Sequence, residues 1–180
     1  MIRLLFACVF LLTCLFPLEV LSQAKVKPFG EYQKVWSDGE HASGYSLSLW
    51  MEGGKLIGII RVHSGLVGDP PAGLLEDVSY SARTHKFSFK AKWSAGLYSD
   101  PTHRDVPSQD VLSFTGVVTQ ARVKGKLVLD NLLCGPGCRK VKQINLRRSK
   151  EWSASLEVFS NHEEWKKRNK VIFDRYGPKW

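Results

Sequence analysis

This chain has no signature of a known catalytic reaction. It contains neither a Gly-x-Ser-x-Gly elbow nor a glycine-rich phosphate loop, which leaves nucleophilic catalysis and phosphoryl transfer without support. It has no Asn-x-Ser/Thr sequon, which points to a bacterial rather than a glycosylating source. It also lacks an apolar run long enough for a membrane-spanning helix, since the longest, Leu4–Leu18, has 15 residues against the roughly 20 needed. Acidic residues are few beside basic ones (17 against 26), giving a net charge of +9. Cysteine is scarce, at four residues, and two of these, Cys8 and Cys14, fall in the N-terminal apolar run.

That run follows Met1-Ile2-Arg3 and ends at Glu19, and Ser22-Gln23-Ala24 supplies a small-x-small cleavage site. A basic start, a short apolar stretch and such a site predict a secretory signal peptide over 1–24, hence a secreted or periplasmic protein. Lipid anchoring at Cys8 or Cys14 is the minor alternative. Cys8 has too little apolar sequence ahead of it, and Cys14 follows Thr13 rather than a small residue. The remaining 25–180 fit one domain, large enough to bury a core without obligatory disulfides. Arg3 and Glu19 cancel, so the whole net charge belongs to that domain. Exported basic domains commonly meet anionic lipid, glycan or cell-wall surfaces, and the compartment disfavours nucleic acid.

The two remaining cysteines lie in Cys134-Gly135-Pro136-Gly137-Cys138. Three residues separate them, two of them glycine around a proline, and no helix-forming sequence follows. A redox pair has two intervening residues and opens a helix, so this motif reads as a disulfide-stapled turn.

From Glu31 onward, short segments rich in β-branched, aromatic and aliphatic residues alternate with turn signals. Lys86–Trp93 is the clearest, with Phe87, Phe89, Ala91 and Trp93 on one face and Lys86, Ser88, Lys90 and Lys92 on the other. Eight strands are predicted: Glu31–Trp36, Tyr45–Met51, Lys55–Val62, Leu74–Ser81, Lys86–Trp93, Val111–Thr119, Val123–Asp130 and Val141–Arg148. Near the C-terminus, Ser160-Asn161-His162-Glu163 has the form of a capping box, and Gly177-Pro178 is a stop signal. Between them an amphipathic helix is predicted over about 161–176.

The second, fourth and sixth connections are short hairpins. The first (Ser37–Gly44), third (His63–Gly73), fifth (Ser94–Asp110) and seventh (Asn131–Lys140) are predicted to be long, and in an antiparallel meander these share one end. Closing such a sheet gives a mainly β fold: an eight-stranded antiparallel up-and-down barrel, or a sandwich, with one C-terminal α-helix.

This order of elements resembles the lipocalin (calycin) family, whose first strand usually begins Gly-x-Trp and whose last strand supplies an arginine that packs on the tryptophan. Here Gly30-Glu31-Tyr32 places Tyr32 at the tryptophan position, and Arg147 or Arg148 stands where the arginine would be. The resemblance implies a small apolar or amphipathic ligand inside the barrel. Predicted strands offer apolar residues for its interior, and these serve equally well as plain core.

Candidate ligand-binding residues gather in the long connections: His41, His63, Asp69, Tyr98, Asp100, His103, Arg104 and Asp105. The acids around His103 are raw material for acid–base chemistry, and a polar surface turn accounts for them as well. His41, His63 and His103 lack metal-ligand spacing, so no metal and no cofactor is expected. The expected function is a binding module rather than an enzyme. The alternative is a surface-interaction protein that uses Arg139, Lys140, Lys142, Arg147, Arg148 and Lys150 against an anionic partner.

Overall fold

The computed structural model describes residues 24–68 and 70–180; the predicted signal peptide, apart from Ala24, and Asp69 lie outside the described residues. The described residues form ten strands: β1 (Lys27–Ser37), β2 (His41–Glu52), β3 (Lys55–Leu66), β4 (Ala72–Tyr80), β5 (Lys86–Trp93), β6 (Leu97–Tyr98), β7 (Val106–Pro107), β8 (Asp110–Val118), β9 (Arg122–Asn131) and β10 (Lys140–Ser149). Two helices follow, α1 (Lys150–Ala154) and α2 (His162–Tyr176). Eight strands close an antiparallel barrel in the order β1-β10-β9-β8-β5-β4-β3-β2, while β6 and β7 pair as a small separate hairpin. The mainly β, eight-stranded barrel with a C-terminal helix is therefore the observed fold, and closure excludes the sandwich.

The alternation that predicted β5 is realised: Phe87, Phe89, Ala91 and Trp93 are buried inside the barrel, and the four intervening side chains face outward. Phe87, Phe89 and Phe114 form a stack with ring centroids 5.3–5.8 Å apart. Gly116 and Gly125 lie opposite one another across β8 and β9. A Cβ on either would stand within 3 Å of the Phe114 ring, so the glycine pair makes the space that the ring fills. Tyr32 helps close this end from β1, its hydroxyl donating to the Thr119 carbonyl at 2.9 Å. The hairpin half of the barrel is thus a packed core.

A second apolar layer lies outside the barrel. Trp165 of α2 is buried against Trp50, their rings edge-on with centroids 5.7 Å apart, and Ile59, Ala72 and Phe159 complete the cluster. The helical spacing that places Trp165, Asn169, Ile172, Phe173 and Tyr176 on one stripe matches the face that docks. Val26 and Phe159 exchange backbone hydrogen bonds of 3.0 and 2.9 Å, which ties the segment before β1 to the approach to α2.

Several local expectations need correction. The capping box is displaced by one residue: Asn161 is the cap, its side chain accepting from the Glu164 amide at 2.9 Å. The Glu164 carboxylate reaches back to the Ser160 amide at 2.7 Å and to the Ser160 hydroxyl. Both Ser160 and Asn161 are residue types that cap helices, and Asn161 takes the position, two residues after the Phe159 bridge with Val26. The first connection is not long. β1 and β2 extend until only 38–40 remain, closed by Asp38 accepting from the amides of Glu40 (3.0 Å) and His41 (2.7 Å). Ala42-Ser43-Gly44 has no apolar alternation because this part of β2 walls an opening instead of a core. The fifth connection carries β6 and β7, and α1 appears where no helix was predicted; at five residues it is too short to show a periodic stripe.

Candidate functional site

The odd connections do share one end of the barrel, and there the interior opens. With the aromatic stack filling the opposite half, the upper half forms a cup of about 770 Å³, inside the range of about 300–1,000 Å³ typical of small-ligand sites. Tyr45, Val62, Trp93, Leu129, Ile144 and Leu146 supply its apolar wall.

Strand alternation decides which polar groups face into it. Cross-strand partners share a face. Lys142 stands opposite the inward-facing Leu127, and Lys140 opposite Leu129. On β1, Lys34 stands opposite Tyr45, two residues beyond the buried Tyr32. Three lysines therefore line the inner face near the mouth, and the Lys142 ammonium lies 5.8 Å from the centroid of the Tyr45 ring. The inward Asp110 makes no ion pair with these three lysines; its carboxylate is hydrogen-bonded to neutral donors. It accepts from the Ser108 hydroxyl (2.5 Å), the Ala95 amide (3.0 Å) and the Asn131 side chain (3.0 Å). That network anchors the fifth connection to β9 across the rim. Cys134 and Cys138 form a disulfide (Cα atoms 5.7 Å apart) at the same rim, bordering the cup as a stapled turn. Trp36, Leu66, Val67, Leu97 and Leu132 stand exposed at that end, on the end of β1 and on the third, fifth and seventh predicted connections.

Of the residues singled out from sequence, His63 and Tyr98 border the cup. His63 belongs to the outer face of β3, where the Ser46 hydroxyl lies 3.2 Å from its Nε2. Desolvation, and then the Arg61 charge, lower its pKa from the ordinary value. His41 is exposed beside Asp38, and Arg104 and Asp105 are exposed in the fifth connection. Tyr98 donates to Asp100 at 3.0 Å, and Asp100 accepts from the backbone amides of Thr102 (2.8 Å) and His103 (2.6 Å). The Thr102 hydroxyl and these other donors hold the Asp100 carboxyl far below the usual carboxylate range. The 3.2 Å approach of His103 Nδ1 to Asp100 is thus part of a self-satisfied turn and not of the cup. Among the described residues no three potential metal ligands come together.

The basic run does not form one outward patch. Lys140, Lys142 and Arg148 face inward and Arg147 outward, while Arg139 pairs with Asp130 at 3.5 Å and Lys150 begins α1. Arg148 lies against the Tyr32 ring, since a Cβ placed on Gly30 would meet Arg148 Cζ at 3.1 Å and the ring at 3.2 Å. Burial pushes the Tyr32 phenol up to about 12, with the Arg148 charge opposing. Sequence reasoning missed Lys34, Tyr45, Trp93 and Asp110 as cup residues. Alternation carried forward from Tyr32 and Phe87 would have placed Lys34 and Trp93 there.

Among the described residues no helix is long and apolar enough to cross a membrane. Comparison with protein-family models, with curated proteins and with solved structures finds no match for this chain.

Proposed function

We propose that this protein is an exported binding module that holds a small amphipathic ligand in the cup at the mouth of its barrel. The observation that carries the reading is the division of the interior: an aromatic core below and an open, apolar-walled cup above. The ligand's hydrocarbon part lies against Tyr45, Val62, Leu129, Ile144 and Leu146. Its polar end is anionic and stays near Lys34, Lys140 and Lys142, where long ammonium side chains reach the head group while their stems cover apolar wall. The exposed apolar residues of the rim assist entry. The split of the basic run between inside and outside favours this reading over a single outward anionic-partner patch.

Decanoate titrated against the mature chain, followed by tryptophan fluorescence, is the test. Trp93 in the cup wall is expected to respond, and the paired change Lys34→Glu/Lys142→Glu is expected to weaken binding by at least about tenfold, two like charges replacing two opposite ones. Saturable decanoate binding that is indifferent to this pair, or no binding at all, would overturn the reading.

A further inference from the structure

A second pocket, of about 410 Å³, lies on the outside of the barrel, roofed by α1 and the residues that follow it. Its floor is the outer face of three adjacent strands: Glu31 on β1, Ser46 and Ser48 on β2, and Arg61 on β3. Outer barrel faces are ordinarily solvated, yet here the polar groups are enclosed. Glu31 is only 7% exposed, and its backbone is clamped to α1, the Glu31 amide donating to the Ser153 hydroxyl at 2.9 Å. Pro70, Trp152 and Leu156 supply apolar surface at the roof and edge.

The charges in this enclosure are poorly satisfied. The Arg61 guanidinium donates to the Ser48 hydroxyl at 3.1 Å, its one hydrogen bond to the protein among the described residues. Glu31 and Arg61 feel one another's charge but make no direct ion pair, and Ser48 stands between them. One carboxyl oxygen of Glu31, Oε2, is fully buried with no hydrogen-bond partner. Burial disfavours both charges, raising the Glu31 pKa and lowering that of Arg61. A desolvated guanidinium costs free energy unless hydrogen-bond acceptors complete it.

We propose that this outer pocket is a binding site for a small organic acid, whose carboxylate is held by the Arg61 guanidinium and whose hydrocarbon part lies against Pro70, Trp152 and Leu156. A planar carboxylate matches the guanidinium fork and can take two parallel charge-assisted hydrogen bonds. The site differs from the cup in its strand face, its anchor residue and its roof, and His63 borders both.

The test uses butyrate with the full mature chain, read by NMR at the Trp152 and Trp93 indoles and at the Arg61 side chain. Butyrate is expected to shift the Trp152 and Arg61 signals saturably while leaving Trp93 unmoved. Butyramide, of the same shape but uncharged, is expected to bind at least about tenfold more weakly. Arg61→Met removes the anchor at similar volume and should abolish the shifts; Arg61→Lys keeps the charge without the fork and should retain weakened binding. The butyramide comparison needs no variant, so misfolding of Arg61→Met does not blunt the test. Unchanged Trp152 and Arg61 signals, equal binding of butyramide, or binding of inorganic phosphate in place of butyrate would each overturn the proposal. Lys34→Glu/Lys142→Glu, which disables the cup, should leave butyrate binding intact.

Discussion

Replacing one large residue in each half of the barrel tests whether the interior is divided as described. Phe89 is 2% exposed and touches Phe87 and Phe114 in the aromatic stack. Phe89→Ala would open a sealed void in a rigid wall, which typically costs about 3–5 kcal/mol. Loss of two ring–ring contacts, each worth about 0.5–1.5 kcal/mol, places the cost in the upper part of that range. Leu129 is half-buried and borders the cup. Leu129→Ala enlarges a space that already opens to solvent, so no sealed void forms. Only part of the leucine transfer free energy is lost, about 1 kcal/mol. In a domain of this size each kcal/mol moves Tm by about 2–4 °C, so the two variants should melt at least about 4 °C apart. Urea denaturation followed by tryptophan fluorescence, with a thermal melt by circular dichroism, measures both. If Leu129→Ala costs as much as Phe89→Ala, the upper half is packed like the lower one and there is no cup.

Three further outcomes follow from the same geometry. Cys134→Ser with Cys138→Ser removes a five-residue loop constraint and is expected to cost about 2 kcal/mol, measured by urea denaturation; no change would mean that the turn holds itself without the staple. Glu31 has a folded pKa raised above 4.5 by burial, so its stabilising form is the protonated one. That stability is fully present below pH 4.5 and is lost as pH rises through the folded value. Glu31→Gln should therefore flatten this limb of the pH–stability curve and equal or exceed the parent at neutral pH, whereas a variant less stable than the parent at neutral pH contradicts the reading. Asn161→Ala should lower stability by about 1 kcal/mol, more than Ser160→Ala does, because Asn161 is the residue that caps α2.

The barrel was legible in sequence because its strands are buried on one face, so Phe87–Trp93 and Tyr45–Leu49 carry a period of two that nothing else explains. The helix was legible because its stripe runs for four turns between a cap and Gly177-Pro178. The strand ends at the mouth were not. There the inner face carries Lys34, Ser43, Lys140 and Lys142, whose polarity serves an open cup and erases the alternation used to find strands. The outer pocket was hidden for a different reason. Glu31, Ser46, Ser48 and Arg61 alternate outward as surface residues should, and only the fold of α1 over them turns an ordinary solvated face into an enclosure. Charge at Arg61 inside the apolar run Leu56–Val62 was the one signal available, and it is equally the signature of an exposed strand face.

In the proposed mode of binding, ligand enters the barrel mouth and stops above the aromatic stack. Intermolecular NOEs between decanoate and the protein's methyl and ring protons test it most directly. Contacts from the alkyl chain to Val62, Leu129, Ile144 and Leu146, with none to Phe87 or Phe114, are the predicted result. Contacts confined to the outer face under α1, or none to the cup wall at saturating decanoate, would contradict it.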